Sequence, residues 1–426
     1  MVLIELSNLE VAIEKLNYSD YEKESNSIGS VIKNRRCEMK KTLEEICKGI
    51  CCVGFLSKLE RNKVDNLNNP IVMKLCEKLD LDYEALSKTK TKDELKNALS
   101  EYAFNRNEAL KRRYESLNKT MFLSQNALIE CMYYLNVEDY NNLNIKITKL
   151  DAVKKSMTAL ELSTLLILMV NYYIKTFQYK KAKEYLSVLD DIGFDEYPLN
   201  ILKREAKFYV SCNLDRKNLE DDYNDIKSFY DIGYPLTKQF LLRLEYLKAM
   251  DNHELAYQIL CSLEKEKISS CSMQFDYTKV YLLSYLRKYK EVCNLIFEKK
   301  LNTYNFISLY AFSLYNLKKN KMLTKDEYSM YLSNLNKLNK EARYKNEDTI
   351  HMCFLKLMQM EIDNTSDAVI CNYLKLQMLE DLKTFYNQLY YDYSVKRYYE
   401  LLGELCKYKD AYILLGSYLR KEVVNA

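Results

Sequence analysis

Residues 42–61 read TLEEICKGICCVGFLSKLER, and this stretch decides the fold of the N-terminal part of the chain. Thr42 with Glu45 three residues later is a capping box, in which hydroxyl and carboxylate each accept a backbone N–H that a helix start leaves unmet. The helix begun there turns Leu43, Ile46 and Cys47 inward. Gly49 ends it, because glycine takes up the left-handed backbone of a helix terminus without steric cost. A further helix starts at about Cys52, with Phe55, Leu56 and Leu59 as its buried stripe. Upstream, Ile28, Val31, Ile32 and Arg35 sit at helical spacing and predict a first helix of about three turns. Downstream, Pro70 to Leu79 and Asp82 to Leu86 read as two more short helices. Helix, tight glycine turn, helix is the arrangement that lets a second helix lie in a DNA major groove.

The charge pattern points the same way. Residues 28–63 carry nine Lys/Arg against four Glu, whereas residues 1–26 carry two Lys against six Asp/Glu, in a chain whose net charge is only +4. A local basic block in a nearly neutral chain is the footprint of a small nucleic-acid module joined to something else. Here the sequence resembles the Xre/Cro-type helix-turn-helix family over residues 27–87. The resemblance is carried by Ile28-Gly29, Arg35-Arg36, Thr42, Glu44-Glu45-Ile46 and, most specifically, Leu56-Ser57-Lys58-Leu59-Glu60-Arg61. It implies that the third helix reads DNA, with Val53, Gly54, Ser57 and Lys58 facing bases and Arg35, Arg61 and Lys63 holding phosphates. Cys52 stands where that family usually has a serine N-cap, and Gly54 where a polar side chain is common. Cys51-Cys52 at a helix start raises the idea of a redox switch, since helix N-termini lower thiol pKa values. The reading preferred here is packing, with Cys51 as a small apolar residue and Cys52 in place of serine.

The rest of the chain is long and equally helical in character. Of 426 residues 48% are hydrophobic, yet there are only 7 Gly and 3 Pro, too few for the turns of a sheet protein. The fold class expected is all-α. Thirteen Cys, an odd number, without a basic leader or an apolar run of membrane-spanning length, predict a cytoplasmic chain with free thiols and no membrane segment. No C-x-x-C pair occurs, and His253 and His351 are the only histidines, so no metal site is expected. The two histidines read as surface residues of the repeats. Phosphate-loop, nucleophile-elbow and zinc-protease motifs are all missing, so neither catalysis nor a cofactor is expected.

Beyond Ser87–Lys96, a polar stretch taken as the joint (linker 88–96), either a helix or a flexible linker, one pattern recurs. It appears at Asn171–Leu186, Tyr246–Leu260, Tyr281–Val292 and Leu402–Leu414, with an aromatic or His three residues before a small one. From Ala182 to Ala256 is 74 residues, two steps of 37, and from Ala256 to Val292 is 36. This period resembles the tetratricopeptide repeat. The resemblance implies helical hairpins stacked into a right-handed superhelix over residues 97–426, five to eight in number by period alone. Each hairpin leaves an apolar face that only its neighbour can bury. Most of the 39 Tyr would belong to that packing. Asn171, Asn316 and Asn387, placed on groove-facing first helices, are the candidate partners for the backbone of an extended peptide.

A helix-turn-helix followed by degenerate tetratricopeptide repeats resembles the Rgg/PlcR/PrgX/NprR group, the peptide-pheromone receptors of Gram-positive bacteria. That resemblance implies a homodimer on double-stranded DNA at a palindromic operator, tuned by a short signalling peptide, with sporulation, virulence or toxin genes as targets. Members that sequester regulatory proteins give the alternative, a repeat scaffold with a protein partner. Residues 1–26 form an acidic extension whose Leu6, Leu9, Ile13 and Leu16 predict a helix packed on the following domain, the alternative being an acidic arm that masks the basic helices or helps dimerise them.

Overall fold

A computed structural model describes residues 6, 28–61, 64, 69–83, 92–117, 123–193, 196–214, 216–265, 273–342, 349–414 and 416. These residues are helical throughout, with no strand among them, as the composition predicts. No helix among them is long and apolar enough to cross a membrane.

Four short helices come first: α1 (Ile28–Glu38), α2 (Leu43–Cys47), α3 (Val53–Leu59) and α4 (Pro70–Lys78). The capping box starts α2, with Glu45 N–H donating to Thr42 Oγ1 at 3.2 Å and Thr42 N–H to Glu45 Oε2 at 2.7 Å. Gly49, at φ +78°, turns the chain out of α2, and Pro70 opens α4 behind the Asn69 cap. Ile28, Val31, Ile32, Ile46, Leu56, Leu59, Val72 and Leu75 form a common core. Each such side chain contributes about 1.5–3 kcal/mol by leaving water. Phe55, expected in the buried stripe, is only half-buried. The last short helix expected, Asp82 to Leu86, falls beyond Tyr83 outside the described residues, as do residues 1–26 apart from Leu6. Leu6 itself is buried, and its N–H donates to Tyr185 Oη at 3.1 Å.

The following helices come in pairs. They are α5 (Lys92–Ala103) with α6 (Asn107–Ser116), α7 (Ser124–Asn136) with α8 (Tyr140–Val153), and α9 (Ala159–Lys175) with α10 (Tyr179–Ile192). Next are α11 (Tyr197–Asn213) with α12 (Leu219–Lys227), α13 (Leu236–Ala249) with α14 (His253–Lys265), and α15 (Met273–Tyr285) with α16 (Tyr289–Glu298). Then α17 (Tyr304–Lys319) precedes α18 (Lys325–Lys340), and α19 (Thr349–Ile362) precedes α20 (Asp367–Tyr373), which runs through a π turn into α21 (Leu379–Thr384). Finally α22 (Gln388–Glu404) is followed by helical residues 408–414. Among the described residues, nine pairs thus stand against the five to eight expected. Pairs such as α5–α6 and α11–α12 lack the aromatic-and-small signature that announces the others in the sequence. The first pair also begins at Lys92, so the last five residues of the stretch read as a joint are its first turn.

One local device joins most pairs. A single residue takes the left-handed conformation, and the next N–H reaches back five residues to close the helix end. It occurs at Asn105, Glu138, Phe177, Asp251, Arg287, Lys321, Asn364 and Cys406. The closing bonds include Arg106 N–H to Glu101 O at 2.8 Å, Lys288 N–H to Leu283 O at 2.9 Å and Lys407 N–H to Leu402 O at 2.7 Å. Asp251 to Arg287 is 36 residues and Arg287 to Lys321 is 34, the period read from the sequence. Ala182, Ala256 and Val292, read from the sequence as small packing residues, are fully buried in second helices.

By internal contacts the chain divides into two compact units, residues 2–172 with 182–206, and residues 173–181 with 207–426. In the first, α1 packs on α8 and α5 on both α6 and α7. Lys33 Nζ donates to the Ala152 carbonyl at 2.6 Å, so the N-terminal helices belong to the same unit as the first hairpins. In the second, α17 packs on α16, α18 and α19, and Arg397 joins α22 to Glu361 of α19 at 2.7 Å.

Candidate nucleic-acid interface

The surface of interest is built around α3. At the end of α2, the Lys78 ammonium donates to three carbonyls, Glu45 at 2.9 Å, Ile46 at 2.9 Å and Lys48 at 3.1 Å. A cation on the negative end of a helix is favourable, and here it also pins the Gly49 turn to α4. Ile50 N–H and Cys51 N–H both return to the Cys47 carbonyl, at 2.8 and 3.1 Å. The chain then enters α3 at Cys52, whose backbone is extended and whose side chain makes no capping bond.

On α3 the two faces separate cleanly. Leu56 and Leu59 are buried, whereas Val53, Gly54, Lys58 and Arg61 are exposed and Ser57 is half-buried. A Cβ placed on Gly54 would meet nothing within 4 Å, so packing does not demand glycine there. Arg61 folds back along the helix, its Nε donating to the Ser57 carbonyl at 2.9 Å and an Nη to Ser57 Oγ at 2.6 Å. Exposed Lys40, Lys41 and Lys48 lie on the segments that precede α3.

The far side of α3 is fixed by charge. Glu60, 5% exposed at its C-terminal cap, accepts from Arg36 Nε at 2.6 Å and from an Nη at 2.8 Å. This two-pronged pair holds the Arg36 guanidinium above its ordinary pKa, chiefly through the hydrogen bonds to Glu60. The sequence pattern includes Arg36 but names no partner for it. Arg35, expected at a phosphate, is half-buried, and its Nε donates to the Leu79 carbonyl at 3.1 Å, at the end of α4. Lys63 lies outside the described residues.

The paired thiols behave as packing groups. Cys51 Sγ lies 3.6 Å from Cys47 Sγ, and burial together with that neighbour pushes the Cys51 pKa up to about 12. The shift runs opposite to what a helix N-terminus gives a reactive thiol. All described cysteines are free, with Cys52 exposed and Cys47 buried.

The three asparagines expected to hold a peptide are each hydrogen-bonded within the chain. Asn171 is half-buried on α9, its amide 3.3 Å from Tyr102 Oη. On α17, Asn316 donates back to the Phe312 carbonyl at 2.8 Å. Asn387 is the N-cap of α22, accepting from Tyr390 N–H at 3.3 Å and donating to Tyr277 Oη at 3.2 Å. It is buried rather than groove-facing within a helix.

The histidines also depart from the surface reading. His253 is half-buried and stacks on Tyr285, ring centroids 4.1 Å apart. His351 is 2% exposed, its Nδ1 lies 2.8 Å from Tyr390 Oη, and burial pushes its pKa down to about 3. Tyr390 Oη in turn lies 2.7 Å from Ser308 Oγ. A Thr-Ile-His-Met run has no polar periodicity to announce a buried imidazole, so this cluster is invisible in the sequence. No protein-family profile, curated protein or solved structure matches this chain.

Proposed function

We propose that the chain is a DNA-binding transcriptional regulator in which α3 enters the major groove and the hairpin array senses a short peptide. The observation that carries this reading is the two-faced build of α3. Val53, Gly54, Ser57, Lys58 and Arg61 occupy one open face, and Leu56, Leu59 and the Arg36–Glu60 pair hold the other. A short helix held rigidly from behind, with small, polar and cationic groups in front, suits groove entry. Lys58 supplies a donor for base edges or phosphates, and Arg61 is exposed at the end of the same helix to hold a phosphate. A palindromic site read by two copies of the chain is the partner arrangement that goes with one such helix per chain.

Lys58→Ala together with Arg61→Ala is the test, read as affinity for promoter DNA across a salt series. Binding should weaken sharply, and the slope of log affinity against log salt should fall by about 0.9 for each phosphate no longer neutralised. Stability should stay within about 0.5 kcal/mol, since both side chains are exposed. Unchanged affinity and slope would remove α3 from the interface. The array, which makes up most of the described chain, also supports a second reading, a scaffold that captures a regulatory protein. The α3 double variant separates the two, because partner capture by the array would survive it.

A further inference from the structure

Among the hairpin turns, the one between α9 and α10 is unlike the others. The left-handed residues Asn105, Asp251, Arg287, Lys321, Asn364 and Cys406 are exposed at their turns, and Glu138 is half-buried. At 177 the residue is Phe, half-buried and at φ +61°, flanked by Thr176 and Gln178 that are 2% and 1% exposed. A bulky residue in that conformation is an outlier whose surroundings must hold it. Residues 173–181 belong to the C-terminal compact unit, and what holds Phe177 lies there too. Tyr386 N–H donates to the Phe177 carbonyl at 3.0 Å. The Phe177 ring meets the His351 ring edge-to-face at 5.0 Å and that of Tyr277 at 6.4 Å. Asn387 holds Tyr277, and Tyr390 holds His351, so the seat is braced from behind by hydrogen bonds of its own.

Two buried polar atoms in this region lack partners. His351 Nε2, on the seat, is buried without a hydrogen-bond partner, and so is Gln178 Oε1, on the turn. Buried polar atoms left unmet are unfavourable, so an occupant that satisfied His351 Nε2 would hold the seat better than this turn does. We infer that this seat is a binding site for an aromatic residue of a peptide, occupied in the structure by the chain's own α9–α10 turn. The present occupant defines the chemistry: one aromatic ring against His351 and Tyr277, and one backbone carbonyl to Tyr386 N–H. A competing peptide supplies the same two groups and adds a polar group for His351 Nε2. The tethered turn acts as an intramolecular competitor that sets the threshold for binding.

This inference rests on the array being the sensing part of the molecule, and its test involves no DNA. Phe177→Ala in the full chain is titrated calorimetrically with a capped nonapeptide copying residues 173–181, and with the same peptide carrying Ala in place of Phe. The variant should bind the first at least ten-fold more tightly than the wild type does and show no gain for the second. A folded variant that gains nothing for the Phe peptide overturns the proposal. Should the variant fail to fold, hydrogen exchange of wild-type residues 174–179 decides. Millimolar Phe peptide should accelerate it by displacing the turn, and unchanged exchange overturns the proposal. Failure here leaves α3 as a DNA reader, and loss of that role leaves the seat.

Discussion

The guanidinium of Arg36 on α1 and the carboxylate of Glu60 at the end of α3 face each other through two hydrogen bonds, 2.6 and 2.8 Å long, with both side chains nearly withdrawn from solvent. A third donor of Arg36 reaches the Lys41 carbonyl at 2.9 Å. One side chain therefore ties α1, the entry to α2 and the exit of α3 together.

Removing one member of a buried pair strands the other. Glu60→Gln should lower the stability of the N-terminal helices by about 3 kcal/mol, read from urea unfolding, because Arg36 is left without its counter-charge. Replacing both residues by Met should recover most of that loss. A single variant as stable as the wild type would mean that packing alone orients α3.

At the start of α3 the sequence leaves stability unused. Cys52→Ser supplies a hydroxyl cap and should add about 0.5–1 kcal/mol. Gly54→Ala fills open space on a helix and should add up to about 1 kcal/mol. Thermal unfolding of the two variants measures both gains. Gly54→Gln should fold equally well and change which promoter sequences are bound, as a binding-site selection experiment would show.

Two titratable groups of the C-terminal unit, buried His351 and half-buried Asp392, act in opposite directions. His351 has a folded pKa near 3 against an ordinary 6.5, so the unfolded chain takes up a proton that the folded chain refuses. Its contribution is fully present above pH 6.5 and is lost as pH falls, at about 1.4 kcal/mol per unit. Asp392, bonded to Tyr285 and Gln388, is raised by burial to about 6, and its contribution is lost as pH rises through that value. Between pH 7 and 5, His351→Gln should therefore remove about 2 kcal/mol of acid-induced destabilisation relative to the wild type. Identical pH profiles for the two proteins would refute the buried neutral imidazole.

Thiol labelling gives a simpler check. Iodoacetamide at neutral pH should modify exposed Cys37, Cys52 and Cys406 well before Cys51, whose thiol is held protonated. Peptide mass spectrometry after timed quenching reads the order, and early modification of Cys51 would reopen the redox reading.

The helical class and the hairpin period are legible because both are written in local signals. Thr42 and Glu45 mark a helix start by their spacing, and Ala182, Ala256 and Val292 mark the approach of two helices by their size. What stays hidden depends on distant partners. Nothing near Arg35 says that its nitrogen meets Leu79, and nothing near Lys78 says that it crowns α2. Asn387 reads as a groove residue because Asn suits both grooves and caps, and only the start of α22 at Gln388 separates the two. Phe177 looks like one more aromatic of the repeat, although its neighbours His351 and Tyr386 lie far along the chain.

The left-handed turn residues have a consequence for how such an array breathes. Asn105, Glu138, Phe177, Asp251, Arg287, Lys321, Asn364 and Cys406 all stand where glycine would be at ease, and each forgoes up to about 1–2 kcal/mol by carrying a side chain there. Where a turn touches only the helices it joins, such a deficit stays local instead of merging into one global figure, whereas Phe177 is held by distant His351 and Tyr386. Each exposed joint then has its own propensity to open, and substitution at its left-handed residue tunes it without rewriting the helices on either side.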